Sequence, residues 1–336
     1  MIALTTAVTL LALTTFTAIA VAQDTPSSST APTTIPAALP GNGLSQHDFL
    51  YAGEWDTRKP VQTAFIIRGG KVVWSFEIPS KKGEISDASL LSNGNVIIGH
   101  QHGALVVTQD KKVIWTYECP PGTEVHTIQA IGLDKVMIFS NGPDPKVMLF
   151  DIKTNAVESS FSVPVGNLKS THGQCRHMRI TPGNTLLIAH MDNKEIGEYT
   201  LDGKKIGSTM LEGGVWSAVR LRSGNTLAST KKTQIVELDP SGKIVWELAP
   251  SDIPEIKLHN IQEVARLDNG NTVFTNWVPG SAKAPQWPGT VQVVEVTPSK
   301  KVVWALSEWS DPDLGPATCI QLLDQSGKAE EHTIQR

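Results

Sequence analysis

A short pattern repeats along most of this chain and limits its fold more than any other feature. From residue 44 onward, apolar runs stop at a glycine-containing turn and resume: DASLLSNGNVIIG at 87–99, RHMRITPGNTLLIA at 176–189, SAVRLRSGNTLAS at 217–229 and EVARLDNGNTVFT at 263–275. An Asn-Gly or Pro-Gly pair between such runs is a strong hairpin signal. A second hairpin type alternates with the first and carries tryptophan on its second strand: AFIIRGGKVVWSFE at 64–77, LVVTQDKKVIWTYE at 105–118, IVELDPSGKIVWEL at 235–248 and VVEVTPSKKVVWAL at 293–306. Weaker copies occupy 147–163 and 196–210.

The turn residues Asn184 and Asn225 stand 41 positions apart, and Asn225 and Asn271 stand 46 apart. The 89 positions from Asn95 to Asn184 hold two units, the degenerate one passing through 132–138. A four-stranded antiparallel unit recurring every ~40–50 residues predicts an all-β fold, a β-propeller. No window sustains the apolar period of a helix over several turns. Residues 48–77 supply three strands and 317–324 only one. Pairing that last strand into the first blade closes the ring without an open edge. Six blades follow: one composite, then five starting near Ile85, His126, His172, Gly213 and His259. Seven is the alternative if a divergent blade is hidden.

Residues 1–22 carry no charged side chain and end in Ala-Val-Ala before Gln23. This reads as a signal peptide cleaved after Ala22, which makes the mature chain secreted or periplasmic and leaves it no integral membrane span. Residues 23–43 form a Ser, Thr and Pro-rich tether, 44–324 the propeller, and 325–336 a polar C-terminal tail. A net charge of -4 with 18% charged and 40% hydrophobic residues excludes a disordered chain and a nucleic-acid partner. Cys119, Cys175 and Cys319 allow at most one internal disulfide.

In a blade, the turns joining its first two and last two strands share one face, and here they are short. The opposite face receives the long, proline-containing segments 118–124, 163–173, 249–257, 277–289 and 307–316. Loops on a rigid scaffold carry function, so the site is expected there. His126, His172 and His259 stand at the start of innermost strands, and His100, His102 and His190 at the ends of second strands. Glu54, Asn141 and Asn276 hold the equivalent second-strand position in other blades. Arg176 and His177 follow His172; alternation along a strand turns them to opposite faces and makes His177 a structural group. Seven of the nine histidines, with Arg176, are thus expected at one axial mouth. Trp74, Trp115, Trp246 and Trp304 recur at one outer-strand position and read as blade packing. Trp55, Trp216, Trp277, Trp287 and Trp309 fall on the long-loop face as a candidate binding rim for an aromatic or carbohydrate ligand.

Three readings of this cluster stay open. The histidines serve as hydrogen-bonded structural groups, or His126, His172 and His259 bind Zn²⁺, Mn²⁺ or Fe²⁺ as neutral imidazoles and leave positions for substrate. The third rests on a resemblance. His259-Asn260, Leu267 to Thr272, Glu295 to Pro298 and Val303-Trp304 resemble the repeats of bacterial arylsulfotransferases. That resemblance implies sulfuryl transfer, with His259 as transient acceptor and His126, His172 and Arg176 as its oxyanion partners. The Gly-Lys-x-x-Trp element also resembles the repeats of pyrroloquinoline-quinone dehydrogenases and of the outer-membrane assembly propeller. The chain has no vicinal cysteine pair and no acidic triad, so the quinone is not expected, while the assembly resemblance implies a noncatalytic scaffold with an envelope protein as partner. The expectation is a His-rich axial pocket for a small anionic, aromatic or saccharide ligand, with a transition metal as candidate cofactor.

Overall fold

The computed structural model describes residues 38–53 and 55–336. The expected signal peptide, most of the tether and Glu54 lie outside the described residues. The others form six four-stranded antiparallel sheets. Blade I holds β1 (Phe49–Ala52), β2 (Val61–Arg68) and β3 (Lys71–Pro79). Blade II holds β4 (Ile85–Leu90), β5 (Val96–His100), β6 (Gly103–Val107) and β7 (Val113–Glu118). Blade III holds β8 (Glu124–Ile131), β9 (Lys135–Asn141), β10 (Lys146–Asp151) and β11 (Val157–Ser162). Blade IV holds β12 (Cys175–Ile180), β13 (Thr185–His190), β14 (Glu195–Thr200) and β15 (Lys205–Met210). Blade V holds β16 (Val215–Arg220), β17 (Thr226–Thr230), β18 (Gln234–Leu238) and β19 (Ile244–Leu248). Blade VI holds β20 (Val264–Arg266), β21 (Thr272–Thr275), β22 (Val293–Val296) and β23 (Val302–Leu306). The last strand, β24 (Cys319–Leu322), pairs antiparallel with β1, Cys319 facing Ala52 and Leu322 facing Phe49. The ring is therefore six-bladed and closed through a composite blade.

The central strands are apolar on both sides because every sheet is sandwiched between two others. Successive residues of a strand point to opposite faces and here enter different cores. In β9, Val136 and Ile138 pack against blade II, while Met137 and Phe139 pack against blade IV. In β2, Ala64 and Ile66 face blade II, and Ile67 faces blade VI. Six such cores, one per pair of neighbouring blades, hold the ring together.

The repeat tryptophans do more than fill these cores. Each donates its indole N–H across to the next unit: Trp74 to the Gln109 carbonyl at 3.1 Å, Trp115 to Asn155 Oδ1 at 2.8 Å, Trp246 to the Pro298 carbonyl at 2.8 Å and Trp304 to the Gly43 carbonyl at 2.9 Å. The first three acceptors lie in the outer turn of the following blade, so the tryptophan staples one blade to the next. Trp115→Phe is expected to lower stability by about 1 kcal/mol through loss of that bond. Trp304→Ala, which empties a fully buried site, is expected to cost about 3–5 kcal/mol. Urea unfolding of both variants checks the order; equal losses would show that packing around Trp304 is no tighter than one hydrogen bond.

Two segments read as tether and tail are packed on the propeller. Leu39 joins the core between blades V and VI, and the Pro40 carbonyl accepts from the Ala305 N–H in β23. At the other end, 325–336 crosses the short-turn face. Arg222 donates to the carbonyls of Ser326 and Thr333, Asp268 accepts from Ser326, and Ala329 and Ile334 enter the core between blades II and III. Polar composition concealed this docking, since hydrogen bonds to turn residues, two isolated apolar contacts and the buried Arg336 hold the segment rather than a continuous apolar stripe. Cys119, Cys175 and Cys319 are all free thiols. No helix among the described residues is long and apolar enough to cross a membrane.

Candidate functional site

The innermost strands of four successive blades share one irregularity at the long-loop end. Register slips by one residue between Ile85 and Asp87 in β4, Val125 and Ile128 in β8, Cys175 and Met178 in β12, and Val215 and Ser217 in β16. A bulge breaks strand alternation and re-aims the extra side chain. The residues at these bulges are Ser86, His126 with Thr127, Arg176 with His177, and Trp216. This corrects the expectation that Arg176 and His177 face apart, because both reach groups on the axis. Arg176 Nη1 lies 3.0 Å from His126 Nδ1, and His177 Nδ1 lies 3.1 Å from Arg179 Nη2.

At the mouth, two carboxylates and two imidazoles form a closed circuit. His126 places Nδ1 3.1 Å from Glu84 Oε1 and Nε2 2.9 Å from Glu124 Oε2. His172 places Nδ1 2.9 Å from the same Glu124 Oε2 and Nε2 4.0 Å from Glu84 Oε1. The outer oxygens are held as well: Trp55 Nε1 donates to Glu84 Oε2, and Gln101 Nε2 donates to Glu124 Oε1 at 2.9 Å. Burial opposes ionisation of Glu84, but the hydrogen bond and charge of His126, with Arg176 and His172, outweigh it and set its pKa at about 2. Burial likewise opposes ionisation of Glu124, and its bonds to His126 and His172 hold it well below the usual carboxylate range. Arg176 lies 3.4 Å from Glu84 Oε1, with its guanidinium stacked 5.0 Å from the Trp216 ring. Glu84, His126, Arg176 and Trp216 are buried, whereas His172 and Trp55 are exposed. A cavity of about 280 Å³ adjoins the cluster, lined by Trp55, Lys59, Gln62, Glu84, Gln101 and His102 among others.

The seven histidines expected at one mouth do not converge there. His126 and His172 meet, their rings 5.0 Å apart. Among the described residues two sets of three donor atoms lie within 4.8 Å of one another; the one at the mouth is Glu84, His126 and His172, and His259 belongs to neither. His259 instead places Nδ1 2.8 Å from Ser281 Oγ in the 277–289 loop. His190 sits inside blade IV between Cys175 Sγ and the Tyr199 hydroxyl, and His100 Nδ1 donates to the Lys82 carbonyl. His102 lines the cavity. Asn141 and Asn276 brace backbone: Asn141 exchanges two bonds with Cys175, and Asn276 accepts from the His259 N–H while donating to the carbonyls of Lys257 and Val291. Trp287 is buried against Val278 and Trp309, donates to the Ala282 carbonyl, and has the Arg58 guanidinium 5.5 Å from its ring.

The carboxylates are what the histidine count missed. Glu84 and Glu124 each stand two positions before a bulged residue, Ser86 and His126. Alignment on that position would have placed both beside the axis.

Deeper in the channel lies a second cluster. Asp87 accepts from Arg179 Nη1 at 2.8 Å, Thr127 Oγ1 at 3.0 Å and the Ile128 N–H at 3.1 Å. Glu263 accepts from Arg179 Nη2 at 2.9 Å and from the Ile320 N–H at 2.8 Å, with Arg336 Nε 2.9 Å away. Asp87, His177 and Glu263 offer metal-like spacing, yet two guanidiniums already balance the two carboxylates. This network joins strands of five blades across the axis and is structural.

Desolvation lowers four buried imidazoles from their usual 6.5: His100, His190 and His259 to about 4 and His177 to about 3. Each is neutral in the folded protein and protonates first in the unfolded chain. Their stabilising contribution is complete above pH 6.5 and declines as pH falls toward 4. The urea midpoint is expected to drop steadily over that window, and a midpoint unchanged from pH 7 to 4.5 would contradict the four assignments together.

The chain matches no protein-family model and no curated protein sequence. None of the repeat resemblances is therefore supported by a family match. Among solved structures, a protein of unknown function from Bacteroides caccae superposes with a TM-score of 0.69 at 21% identity, over 82% of this chain and 97% of its own. A streptogramin B lyase gives a TM-score of 0.52 at 14% identity, over 76% and 82%. Catalytically inactive virginiamycin B lyase from Staphylococcus aureus with quinupristin gives 0.52 at 14%, over 80% and 88%. At these identities the likeness is one of fold: this chain is a six-bladed propeller similar to those proteins.

Proposed function

We propose that the axial mouth binds one divalent transition-metal ion through His126 Nδ1, His172 Nε2 and Glu84 Oε1, and acts with it on a small anionic ligand as a metal-dependent lyase or hydrolase. The observation that carries this is the position of Glu124. One carboxylate oxygen stands 2.9 Å from His126 Nε2 and 2.9 Å from His172 Nδ1, so it accepts an N–H from each. In the metal-binding form each imidazole would be neutral and keep its proton on the nitrogen facing Glu124, leaving His126 Nδ1 and His172 Nε2, 3.1 and 4.0 Å from Glu84 Oε1, as donors to the ion. A carboxylate that orients metal-binding imidazoles through their far nitrogens is the usual outer partner of such a site. Glu84 and Glu124 are both held ionised at the mouth, which suits a cation. The cavity beside Glu84 and Trp55 supplies room for a ligand.

Arg176 has a part in this reading. Its Nη1 now stands near His126 Nδ1 and Glu84 Oε1, where the ion would sit. With an ion held there, its guanidinium, stacked on Trp216, would be released to pair with the ligand's anionic group. The same contact favours a second reading, in which Arg176 permanently neutralises the cluster and the propeller is a noncatalytic scaffold. The partners that sulfuryl transfer at His259 would draw on, His126, His172 and Arg176, are committed to Glu84, Glu124 and one another.

Elemental analysis of protein purified without chelator, followed by titration with Zn²⁺, Mn²⁺ and Fe²⁺, tests the proposal. One equivalent per chain is expected. Less than about a tenth of an equivalent with no uptake on titration would leave the scaffold reading, since a real site with three protein donors holds its metal.

A further inference from the structure

The cavity of about 280 Å³ has Glu84 in its wall, so it meets the proposed ion site at that carboxylate. Its rim is built around one tryptophan. Trp55 is 47% exposed, the tryptophan left open to solvent among the described residues. Its backbone stands at φ 57°, a left-handed conformation that a bulky side chain rarely adopts. Neighbouring groups hold it there. The indole N–H donates to Glu84 Oε2, and the Thr57 N–H donates to the Trp55 carbonyl at 2.8 Å. Arg58 fixes the next residue, Asp56, through Nε at 2.9 Å and Nη2 at 2.7 Å. Strained backbone of this kind persists where the surrounding structure imposes it, and it concentrates at ligand sites. Here the strain sets an exposed aromatic ring against a cavity, where it packs no core.

The rest of the wall has a different character. Among the described residues lining the cavity, Trp55 carries the one large apolar side chain; Gln62, Ser80, Gln101 and His102 belong to the polar remainder. The amides are set in place, Gln62 Nε2 on Ser80 Oγ at 3.2 Å and Gln101 Nε2 on Glu124 Oε1 at 2.9 Å. The His102 backbone is anchored by the Lys82 carbonyl at 3.2 Å and the Cys119 N–H at 2.9 Å. Its imidazole is exposed and makes no hydrogen bond among the described residues. A planar aromatic ligand would need apolar contact on both faces, which this wall does not offer. A sugar ring carries C–H groups on a face and hydroxyls around its edge, each able to donate and accept. One aromatic surface in an otherwise polar wall matches that division. The volume, at the low end of the range for small-molecule sites, suits a single ring.

We infer that this cavity is a subsite for one sugar ring, stacked on Trp55 and hydrogen-bonded through its hydroxyls to His102, which makes the ligand of the mouth a saccharide derivative. The inference rests on the mouth being a ligand site, but the contacts of the ring involve no metal.

The test uses the full chain stripped of metal by chelator, with the methyl glycosides of glucose, galactose, mannose and glucuronic acid as probes and phenol as a planar control. At least one glycoside is expected to bind with a millimolar Kd by calorimetric titration, the range open to a ligand of this size. Saturation-transfer NMR should then mark the C–H protons of one ring face most strongly. Trp55→Ala is expected to weaken that binding at least tenfold and Trp55→Phe to retain part of it, while His102→Ala should cost about tenfold, the worth of one hydrogen bond. Both side chains are exposed, so neither substitution threatens folding. Binding of none of the four glycosides, binding unchanged in Trp55→Ala, or phenol bound more tightly than every glycoside overturns the sugar subsite. Metal uptake is measured separately on the same protein: uptake without glycoside binding rejects the subsite alone, and glycoside binding without uptake rejects the ion alone.

Discussion

Arg179→Met is expected to be among the most destabilising single substitutions in the propeller, costing about 3–5 kcal/mol in urea unfolding. Methionine keeps the length of the stem but removes the guanidinium that bridges Asp87 and Glu263. Both carboxylates are essentially without solvent contact, so each would be left short of a counter-charge that water cannot replace. Burial opposes the ionisation of Asp87, yet the positive charge of Arg179 holds its acidity well below the usual carboxylate range. That depressed value means the network stabilises the fold fully above the ordinary carboxylate range and loses its contribution as the carboxylate is protonated. The defect in Arg179→Met should therefore shrink on acidification. A loss below about 1 kcal/mol at pH 7 would show that the inter-blade cores alone close the ring.

Metal affinity should separate the residues of the mouth by rank. His126→Ala removes a proposed ligand and is expected to reduce affinity by more than about a hundredfold. Glu124→Gln leaves all three ligands in place but supplies an amide where two imidazole N–H groups require an acceptor. It is expected to cost about 10–100-fold, the usual effect of removing an outer carboxylate. Arg176→Met should strengthen binding, because it removes the cation that now faces the donors. Isothermal titration with Mn²⁺ reads all three. An unchanged affinity in Glu124→Gln would contradict the tautomer argument on which the site is built, and unchanged affinity in His126→Ala would move the ion elsewhere.

The architecture was legible because each blade advertises itself locally. Leu91 and Asn95 close a turn with Gly94 at φ 85°, and the copies at Gly224 and Gly270 repeat it at 89° and 87°. A glycine is required there because that backbone conformation disfavours a side chain. In the copy at 181–185 the positive φ falls on Asn184 instead, at 56°, and the hairpin survives because asparagine tolerates this region. The tryptophan position was equally plain, although its N–H staple to the following unit was not. That bond joins residues 35 to 52 apart in three blades and 261 apart at Trp304, and no local pattern reports it.

The site was legible only in part. His126, His172 and Arg176 were identified by where they stand in the repeat, and they meet. His100, His190 and His259 occupy matching repeat positions but turn into other surroundings. Repeat position fixes the end of the barrel at which a residue lies; it does not fix the direction of the side chain. The bulges in β4, β8, β12 and β16 set that direction, and a one-residue register slip leaves no mark in an apolar pattern that is buried on both faces.

By itself, the sequence determined a β-propeller of six blades or, with a hidden one, seven, its closure by the C-terminal strand and the division into a short-turn and a long-loop face, and the structure settled six. Hydrophobic pattern and turn chemistry are local, and they suffice for these. Tertiary structure alone decided that Glu84 and Glu124 join His126 and His172 at the mouth, and that Asp87, Glu263, Arg179 and Arg336 neutralise one another beneath it. Those groups come from strands far apart in the chain that approach only at the axis. There, burial makes pairing compulsory and the bulges choose the partners.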